Sequence, residues 1–598
     1  MREYSVPSTI TVSAEENLTD SVFSHAEHFA SAVLFRRRVD GRWTDVTAAE
    51  FAEQVTAVAK GFIAAGVQPG DRVGLLSATR YEWCLLDYAI WTAGAVTVPV
   101  YETSAADQVG WIIGDSGAVG MVVENADHAA TVDSVRSACA DLAHVWQIDA
   151  PAAPAVAALT ADGAEVSDAT VLQRRHGVGA DELATLIYTS GTTGRPKGCE
   201  LTHRNLLTES RSAAATFSDL ISPGQTNLCF LPMAHVFARA ISVAALDARV
   251  TIGHTADVKN LLGDLGEFHP TFLLAVPRVF EKVYNSARQK AHAEGKGKIF
   301  DAADATAVAW SRAKDSGGPG LALRARHALF DRLVYTKLRA ALGGQCTAAV
   351  AGGAPLGARL GHFFRGIGLP VYEGYGLTET SAAVTANTPR NQRMGTVGTP
   401  LTGCGVRIAD DGEILLSGDV VFRGYWHNEA ATAEALRDGW FHTGDLGSLD
   451  SDGFLSITGR KKEIIVTAGG KNVAPAVLED KLRAHPLISQ CMVVGDNKPF
   501  IGALVTIDSD AFPAWSSRHG KDSAAEVGDL VDDADLRAEI DRAVAEANTA
   551  VSHAEAIKKY RILPVDFTEQ GGEMTPSLKI KRTVVADHFA RDIAAIYS

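Results

Sequence analysis

The chain has 598 residues, of which 46% are hydrophobic and 21% charged, a composition typical of a folded globular protein and unlike that of a disordered chain. Its 56 Lys and Arg against 71 Asp and Glu give a formal charge of −15, which argues against a general nucleic-acid-binding protein because such a protein needs a basic surface. Seven scattered cysteines without a C-x-x-C pair indicate reduced thiols in a cytoplasmic protein. Because no signal-peptide pattern and no apolar run of about 20 residues is present, we expect neither secretion nor a membrane-spanning helix.

Over the first three quarters of the chain, short β-branched runs alternate with longer stretches of helical spacing. The runs begin at Arg72, Ala95, Val119, Ala184, Asn227, Thr271 and Thr347. A helix is predicted over 48–65, and the Ala-, Pro- and Asp-rich stretch 150–180 reads as a connection. The alternation predicts an α/β fold with parallel sheets flanked by helices, in which ligands bind beyond the carboxyl ends of the strands.

A basic helical insertion over about 278–343 departs from the overall charge. Between Arg278 and Arg339 there are 13 Lys and Arg against 6 Asp and Glu, much of it with helical spacing. Two interpretations remain open: a solvated helix face, or a peripheral contact with an anionic membrane surface.

From about Gly412 the pattern changes to short strands with tight turns, which predicts a small β-barrel-like part containing EILLSG, VVFRGYW and DGFLSITGRKKEIIV. A smaller α+β segment follows, with strands SQCMVVGD, FIGALVTID and YRILPVDF and a helix over 535–551. We therefore expect a large N-terminal domain, 1–459, and a mobile C-terminal domain, 460–598.

The strongest local motif is YTSGTTGRPKG, residues 188–198, in which a strand enters a loop rich in glycine and hydroxyl groups. Small residues let backbone N–H groups point at an anion, hydroxyls add donors, and a lysine supplies a mobile positive charge. The motif lacks the Gly-Lys-Ser/Thr ending of a P-loop at the required spacing. The candidate phosphate-binding residues are Thr189, Ser190, Gly191, Thr192, Thr193, Gly194 and Lys197.

This motif resembles the phosphate loop of the adenylate-forming superfamily, which includes acyl-CoA synthetases, peptide-synthetase adenylation domains and beetle luciferases. FLPMAHVFAR, AGGAPL, YEGYGLTET, TGDLG and GRKKEII follow in the order typical of that family. The resemblance extends from about Asp45 to the end of the chain. The variants FLPMAHVFAR, YEGYGLTET and TAGGKNVAP are most similar to bacterial, in particular actinobacterial, long-chain fatty-acid–CoA ligases.

The resemblance implies a role for each matched residue. Glu379 would hold Mg²⁺, Thr378 would donate to the α-phosphate, and Lys579 would be the catalytic lysine, with Lys581 as the alternative assignment. His235 would lie near the acyl carboxylate, although a packed core histidine is the other interpretation. The implied nucleotide-binding residues are Gly353, Ala354, Pro355, Glu373, Gly374, Tyr375, Gly376, Asp445 and Arg460. Lys462 would be the hinge, and Gly469, Gly470 and Lys471 would form the CoA-side loop.

The implied activity is ATP-dependent ligation of long-chain fatty acids, of roughly a dozen carbons or more, to CoA. Acyl-AMP and pyrophosphate would form first, and acyl-CoA and AMP would follow after rotation of the small domain, with Mg²⁺ as cofactor and ATP and CoA as co-substrates. An acyl-AMP ligase that loads a carrier protein and an inactive lipid-binding or scaffold protein are the alternatives. We expect a cytoplasmic protein with no nucleic-acid partner, peripheral at most on the inner membrane surface. The oligomeric state stays open.

Overall fold

The computed structural model of the chain describes residues 1–189, 195–522, 525–575 and 579–598. Its strands are β1 Glu3–Ser5, β2 Val33–Val39, β3 Arg42–Thr47, β4 Arg72–Leu76, β5 Val96–Val100, β6 Ala118–Val123, β7 His144–Gln147, β8 Leu183–Thr189, β9 Lys197–Thr202, β10 Thr226–Cys229, β11 Thr251–His254, β12 Phe272–Ala275, β13 Ala348–Ala351, β14 Val371–Tyr375, β15 Thr385–Ala386, β16 Thr399–Pro400, β17 Gly405–Ile408, β18 Glu413–Ser417, β19 Gly424–Tyr425, β20 Leu436–Arg437, β21 Trp440–Leu449, β22 Leu455–Arg460, β23 Ile465–Val466, β24 Asn472–Val473, β25 Ile488–Val494, β26 Ile501–Ile507 and β27 Ile557–Ile562.

Its α-helices are α1 Asp20–His28, α2 Ala48–Ala64, α3 Tyr81–Thr92, α4 Ala106–Ser116, α5 Ala126–Val135, α6 Ala155–Asp162, α7 Asp168–His176, α8 His203–Thr216, α9 Val236–Asp247, α10 Leu261–Phe268, α11 Pro277–Ala293, α12 Gly297–Lys314, α13 Leu321–Phe330, α14 Thr336–Ala341, α15 Ala358–Gly366, α16 Glu429–Ala435, α17 Pro475–Arg483, α18 Phe512–Arg518, α19 Val527–Leu530, α20 Ala534–Asn548, α21 Arg582–His588 and α22 Ala590–Tyr597. Single turns of 3-10 helix at Thr378–Thr380 and Lys461–Glu463 are important for the site described below.

Two large sheets form the body of the fold. One has the strand order β19-β9-β8-β5-β4-β6-β7 and the other β16-β15-β14-β13-β12-β10-β11-β2-β3. Their central strands are parallel, whereas β9, β19, β15, β16 and β3 add antiparallel edges. The predicted α/β class is confirmed.

A six-stranded antiparallel sheet, β1-β17-β18-β21-β20 with β22 on β21, matches the predicted barrel-like part. A hairpin β23-β24 and the sheet β25-β26-β27 follow. The expected strand at VVFRGYW is largely wrong, because only Gly424–Tyr425 pairs as a strand.

The stretch 150–180 is not a simple connection, since it forms α6 and α7. Helix α2 begins with a capping box between Thr47 and Glu50 and buries an apolar face. Gly61 of α2 lies against α6, where a Cβ atom would come 2.2 Å from the carbonyl oxygen of Leu159. The missing side chain lets these two helices approach closely, and the Ala-rich composition of 150–180 suits that packing.

The buried apolar side chains form clusters that lie either before residue 456 or after residue 464. All seven cysteines are free and buried. Among the described residues, no helix has the length and hydropathy needed to cross a membrane.

Candidate active site

The predicted phosphate loop joins β8 to β9. These strands pair antiparallel, and Thr189 lies opposite Lys197 at the end of the pair. Lys197 is exposed, and its Nζ lies 4.8 Å from the centre of the Tyr425 ring. The predicted binding residues within the loop, Ser190, Gly191, Thr192, Thr193 and Gly194, lie outside the described residues. The strand pair therefore fixes where the loop starts and ends.

Glu379 and Thr378 lie in the 3-10 turn that follows β14, beyond its carboxyl end. The backbone after this turn is strained, with φ of 57° at Ser381 and 133° at Ala382. A Cβ atom at Gly376 would lie 1.4 Å from the carbonyl oxygen of Ala382, so this position requires glycine. Glu379 is half-buried, and its Oε1 accepts a 2.9 Å hydrogen bond from the hydroxyl of Tyr425.

The predicted adenine slot, Gly353, Ala354 and Pro355, is an exposed turn after β13. Glu373 on the neighbouring strand β14 is buried, and its Oε1 accepts a 2.9 Å hydrogen bond from the backbone N–H of Leu356. Burial raises the pKa of Glu373 to about 7. Glu373 thus anchors the turn from beneath.

Tyr375, Asp445 and Arg460 form a connected polar group. The Tyr375 hydroxyl donates a 2.6 Å hydrogen bond to Asp445 Oδ2, and Arg460 Nε lies 3.0 Å from Asp445 Oδ1. Burial and the Asp445 carboxylate together raise the pKa of Tyr375 well above its usual value. Gly374 and Tyr375 pair with β15, and Asp445 on β21 lies opposite Arg460 on β22, so sheet pairing sets this geometry.

Lys579 comes from the other end of the chain and reaches the same cleft. Its side chain is exposed, and its ammonium lies near Arg460, Asp445, Glu379 and Glu463. Burial and the charge of Arg460 lower the pKa of Lys579, while the carboxylates of Asp445, Glu379 and Glu463 oppose that shift. The structure therefore brings together the predicted lysine, the predicted magnesium carboxylate and the predicted ribose carboxylate.

His235 begins α9 and lies half-buried beside the cleft. Its Nδ1 accepts a 3.1 Å hydrogen bond from the N–H of Phe237, which leaves Nε2 to carry the proton. Burial, and to a lesser extent the charge of Lys579, lowers the pKa of His235 to about 4. The imidazole is therefore neutral near pH 7 and can donate a hydrogen bond through Nε2.

The residues predicted as the hinge and as the CoA-side loop are exposed, and Lys462 lies two residues after Arg460. Lys462 is exposed in the turn Lys461–Glu463. Gly469, Gly470 and Lys471 form an exposed turn between β23 and β24, where Lys471 Nζ lies 3.3 Å from Glu555 Oε1. In this arrangement Lys579, and not the CoA-side loop, lies among the site residues.

Sequence reasoning missed three residues that shape the site. Arg239, four residues after His235, forms a buried ion pair with Asp87 at 2.5 Å and 2.8 Å. Glu209 is buried on α8 and accepts a hydrogen bond from the N–H of Ala383, just after the strained turn. Helical spacing places Glu209 on an apolar face, which was a usable signal. Tyr425 carried no such signal.

Comparison with known families and relatives gives a consistent result. The AMP-binding enzyme family matches residues 22–426, and the AMP-binding enzyme C-terminal domain matches residues 462–598. The long-chain-fatty-acid–CoA ligase FadD15 of Mycobacterium bovis is 60% identical over 598 residues, which cover 100% of both chains. The long-chain-fatty-acid–CoA ligase ACSBG2 of Gallus gallus is 31% identical over 648 residues, 100% of this chain and 83% of its own.

Solved structures share the fold. The A-PCP didomain of the carboxylic acid reductase of Segniliparus rugosus, in complex with AMP, has a TM-score of 0.75 at 20% identity and covers 99% of this chain and 84% of its own. The fatty acyl CoA synthetase of Mycobacterium tuberculosis has a TM-score of 0.62 at 22% identity, and the match covers 96% of this chain and 98% of its own. At such identities the similarity concerns the fold.

Proposed function

The chain belongs to the AMP-binding, adenylate-forming enzyme family and is a long-chain-fatty-acid–CoA ligase, and from this premise we propose how its own residues perform the reaction. The observation that carries the proposal is the convergence of Lys579 with Glu379, Asp445 and Arg460 in one cleft. The substrates are a long-chain fatty acid, ATP and CoA. The full-length relatives are CoA ligases, which disfavours transfer to a carrier protein.

In the first step a carboxylate oxygen of the fatty acid attacks the α-phosphorus of ATP. The bond from that phosphorus to the bridging oxygen breaks, pyrophosphate leaves, and an acyl-AMP forms. Asp445 and Arg460 hold the ribose, and the turn of Gly353, Ala354 and Pro355 holds the adenine. Lys579 stabilises the negative charge that develops on the α-phosphate, with help from Thr378. His235 donates through Nε2 to the acyl carboxylate.

In the second step the thiol of CoA attacks the acyl carbon. The bond between that carbon and the phosphate oxygen breaks, AMP leaves, and the thiol proton passes to solvent. Because Lys579 lies near Glu379, Asp445 and Arg460 in the present arrangement, where the thiol must approach, we propose that residues 460–598 rotate about Lys462 as a C-terminal domain. This rotation would bring Gly469, Gly470 and Lys471 to the site, and the N-terminal domain 1–459 would stay in place.

Glu379 fits a role in holding Mg²⁺. Its carboxylate forms no ion pair with any residue in the described part of the chain, and Oε1 alone is engaged, by Tyr425. Mg²⁺ is usually held by one or two carboxylates together with substrate phosphates. When bound, the ion neutralises charge on the phosphates of ATP. The protein's part is to keep one carboxylate available and correctly directed.

Replacing Lys579 with Ala tests the adenylation site. We expect ATP–pyrophosphate exchange to fall by about 10²–10³-fold, the usual effect of losing one donor to developing charge, while ATP still binds. Lys581→Ala is the matched control, because Lys581 is the alternative catalytic lysine, and it should retain exchange. Loss of exchange in the Lys581 variant alone would reverse the assignment.

We also propose a peripheral membrane contact through the basic region 278–343. Leucines at positions 321, 329 and 333 are 84%, 56% and 48% exposed, and all three lie on one helical segment, on and just after α13. Four exposed cations lie on the same stretch of chain: Arg324, Arg326, Arg332 and Lys337. An apolar strip flanked by cations suits an anionic bilayer, where the fatty-acid substrate also partitions.

Sedimentation with phosphatidylglycerol vesicles tests this contact. We expect the chain to bind these vesicles more tightly than phosphatidylcholine vesicles, and Leu321→Ser with Leu329→Ser to weaken that binding. Leu172→Ser, which changes a leucine elsewhere that is exposed to nearly the same extent as Leu329, is the control. Equal binding of all variants, or none to either vesicle, would reject the contact without affecting the ligase assignment.

A further inference from the structure

Tyr425 lies between two opposite charges of the site. Its hydroxyl donates to Glu379 Oε1 at 2.9 Å, and the Nζ of Lys197 lies over its ring at 4.8 Å from the centre. One aromatic side chain therefore contacts both the lysine of the phosphate loop and the carboxylate that we assign to Mg²⁺. Neither charged group has an ion-pair partner among the residues that the structure describes.

The backbone holds Tyr425 in this place from several sides. Strand β19 pairs with β9, so Tyr425 lies opposite Cys199, two residues after Lys197. The Tyr425 N–H donates to Thr432 Oγ1 at 2.9 Å. Three residues earlier, the Phe422 N–H donates to the backbone carbonyl of Glu379 at 2.8 Å. Segment 422–425 is thus hydrogen-bonded both to strand β9 and to the turn that carries Glu379.

A lysine and a glutamate that contact the same aromatic side chain are near enough to attract each other if nothing separates them. A direct ion pair would occupy the cation that should meet phosphate and the anion that should meet Mg²⁺. The Tyr425 ring separates the two, offering its π face to the ammonium and its O–H to the carboxylate. The hydroxyl also orients the carboxylate, as partners of metal ligands commonly do.

We propose that Tyr425 is a positioning residue that keeps Lys197 and Glu379 apart and holds the Glu379 carboxylate ready for Mg²⁺. The proposal rests on the assignment of Glu379 made above. It predicts two separable contributions: the hydroxyl orients the carboxylate, and the ring prevents the ion pair.

The test measures equilibrium binding of ATP with and without Mg²⁺, by calorimetry in the absence of fatty acid, so that turnover does not enter. Tyr425→Phe removes only the hydroxyl, and we expect it to lower the Mg²⁺-dependent gain in ATP affinity by about tenfold. Tyr425→Ala removes the ring as well, and the loss should be larger.

A second substitution isolates the ring. In the Tyr425→Ala background, Lys197→Met should restore part of the Mg²⁺-dependent gain, because the competing cation is gone. In the wild-type background the same change should not increase that gain. Tyr560→Phe is the matched control, since it also removes a hydroxyl that donates to a carboxylate, that of Asp541 at 2.8 Å, away from the site.

Several outcomes would overturn the proposal. One is that Mg²⁺ raises the ATP affinity of Tyr425→Phe as much as that of wild type, while the melting temperature of Tyr425→Phe equals that of the Tyr560→Phe control. Another is that Tyr425→Ala loses the same part of the Mg²⁺-dependent gain in ATP affinity whether or not Lys197→Met is also present. Glu379→Gln separates this from the underlying assignment: if that variant keeps the full Mg²⁺-dependent gain, the magnesium role of Glu379 is wrong, whatever Tyr425 does.

Discussion

Burial and a backbone contact act in opposite directions on the Glu209 carboxyl. The side chain is only 2% exposed, and burial raises its pKa to about 8, although the hydrogen bond from the Ala383 N–H favours the charged form. Its Oε2 has no hydrogen-bond partner among the described atoms. Ala383 follows the two residues with positive φ that end the Glu379 turn. Glu209 therefore helps to hold a strained segment at the cost of a buried ionisable group.

The raised pKa of Glu209 predicts a pH-dependent stability difference. Between about pH 4.5 and 8 the native state keeps a proton that the unfolded state releases, so the contribution of Glu209 to stability is lost as the pH rises. Glu209→Gln cannot ionise. In urea titrations, its free energy of unfolding relative to wild type should therefore increase with pH over this window, by up to about 1.4 kcal/mol per unit, and level off above pH 8.

The exposed helical residue Glu53 provides the control for this experiment. Glu53→Gln makes the same replacement at an exposed position, and its pH profile is the baseline for the comparison. A pH-independent difference for Glu209→Gln relative to this baseline would mean that Glu209 is ionised in the native protein.

Among individual site residues, those that the sequence could predict lie in contiguous motifs. Glu379, Asp445 and Lys579 could be proposed as site residues because each lies in a short matched segment, and the three lie near one another in the structure. Tyr425 and Glu209 could not, since each matters through a partner that only tertiary structure brings near. Local sequence records neither contact.

Among the elements, the buried strands were predicted most reliably. Runs such as 72–76 and 96–100 are apolar on both faces, which is typical of central parallel strands. VVFRGYW is also rich in β-branched and aromatic residues, but it is mostly irregular, and its Phe422 N–H forms a hydrogen bond with the backbone carbonyl of Glu379. In 150–180, low hydrophobic periodicity hid two short helices, of which α6 packs closely against Gly61 of α2.

Two ion pairs connect α11 to the turn after β26. Arg278 lies 2.9 Å from Asp508, and Lys282 lies 3.2 Å from Asp510. They link the proposed N-terminal and C-terminal domains in the arrangement that places Lys579 in the cleft. Both pairs are partly exposed, so each is worth at most about 1 kcal/mol.

Removing these pairs should favour rotation. For Arg278→Gln with Lys282→Gln, we expect ATP–pyrophosphate exchange to fall about two- to fivefold while thioester formation from added acyl-AMP is not slowed. High salt should produce a similar fall in wild type and little further change in the variant. Arg561→Gln, which breaks the pair with Asp592 inside the C-terminal segment, is the control. An equal fall of both reactions would contradict the expectation.

For the whole molecule, the proposed rotation depends on a single short connection between separate apolar clusters. Lys462 is exposed in the 3-10 turn that joins the two parts. Proline fixes φ near −65°, so Lys462→Pro should restrict the backbone change that rotation requires. We expect ATP–pyrophosphate exchange to remain near the wild-type rate, and thioester formation, measured in a single-turnover reaction, to fall by at least about tenfold.

Lys462→Ala keeps the backbone free and should support both steps. If Lys462→Pro slows the two steps equally, the pivot lies elsewhere or the second step needs no rotation. A change in the spacing of apolar residues along the chain favoured a two-part division, which agrees with the separate apolar clusters, whereas the pivot at Lys462 stays a prediction. The relative placement of the two parts could not be predicted, because it depends on contacts such as those of Arg278 and Lys579 that form across the chain.

The seven buried cysteines have a consequence for an enzyme whose own substrate is a thiol. Burial raises the pKa of every one of them, so none offers the thiolate that disulfide exchange requires. The disulfide form of CoA therefore has no exposed cysteine on the folded protein with which to form a mixed disulfide. Burial of all seven thiols therefore disfavours both mixed-disulfide formation with the coenzyme and transfer of the acyl group to a sulfur of the protein.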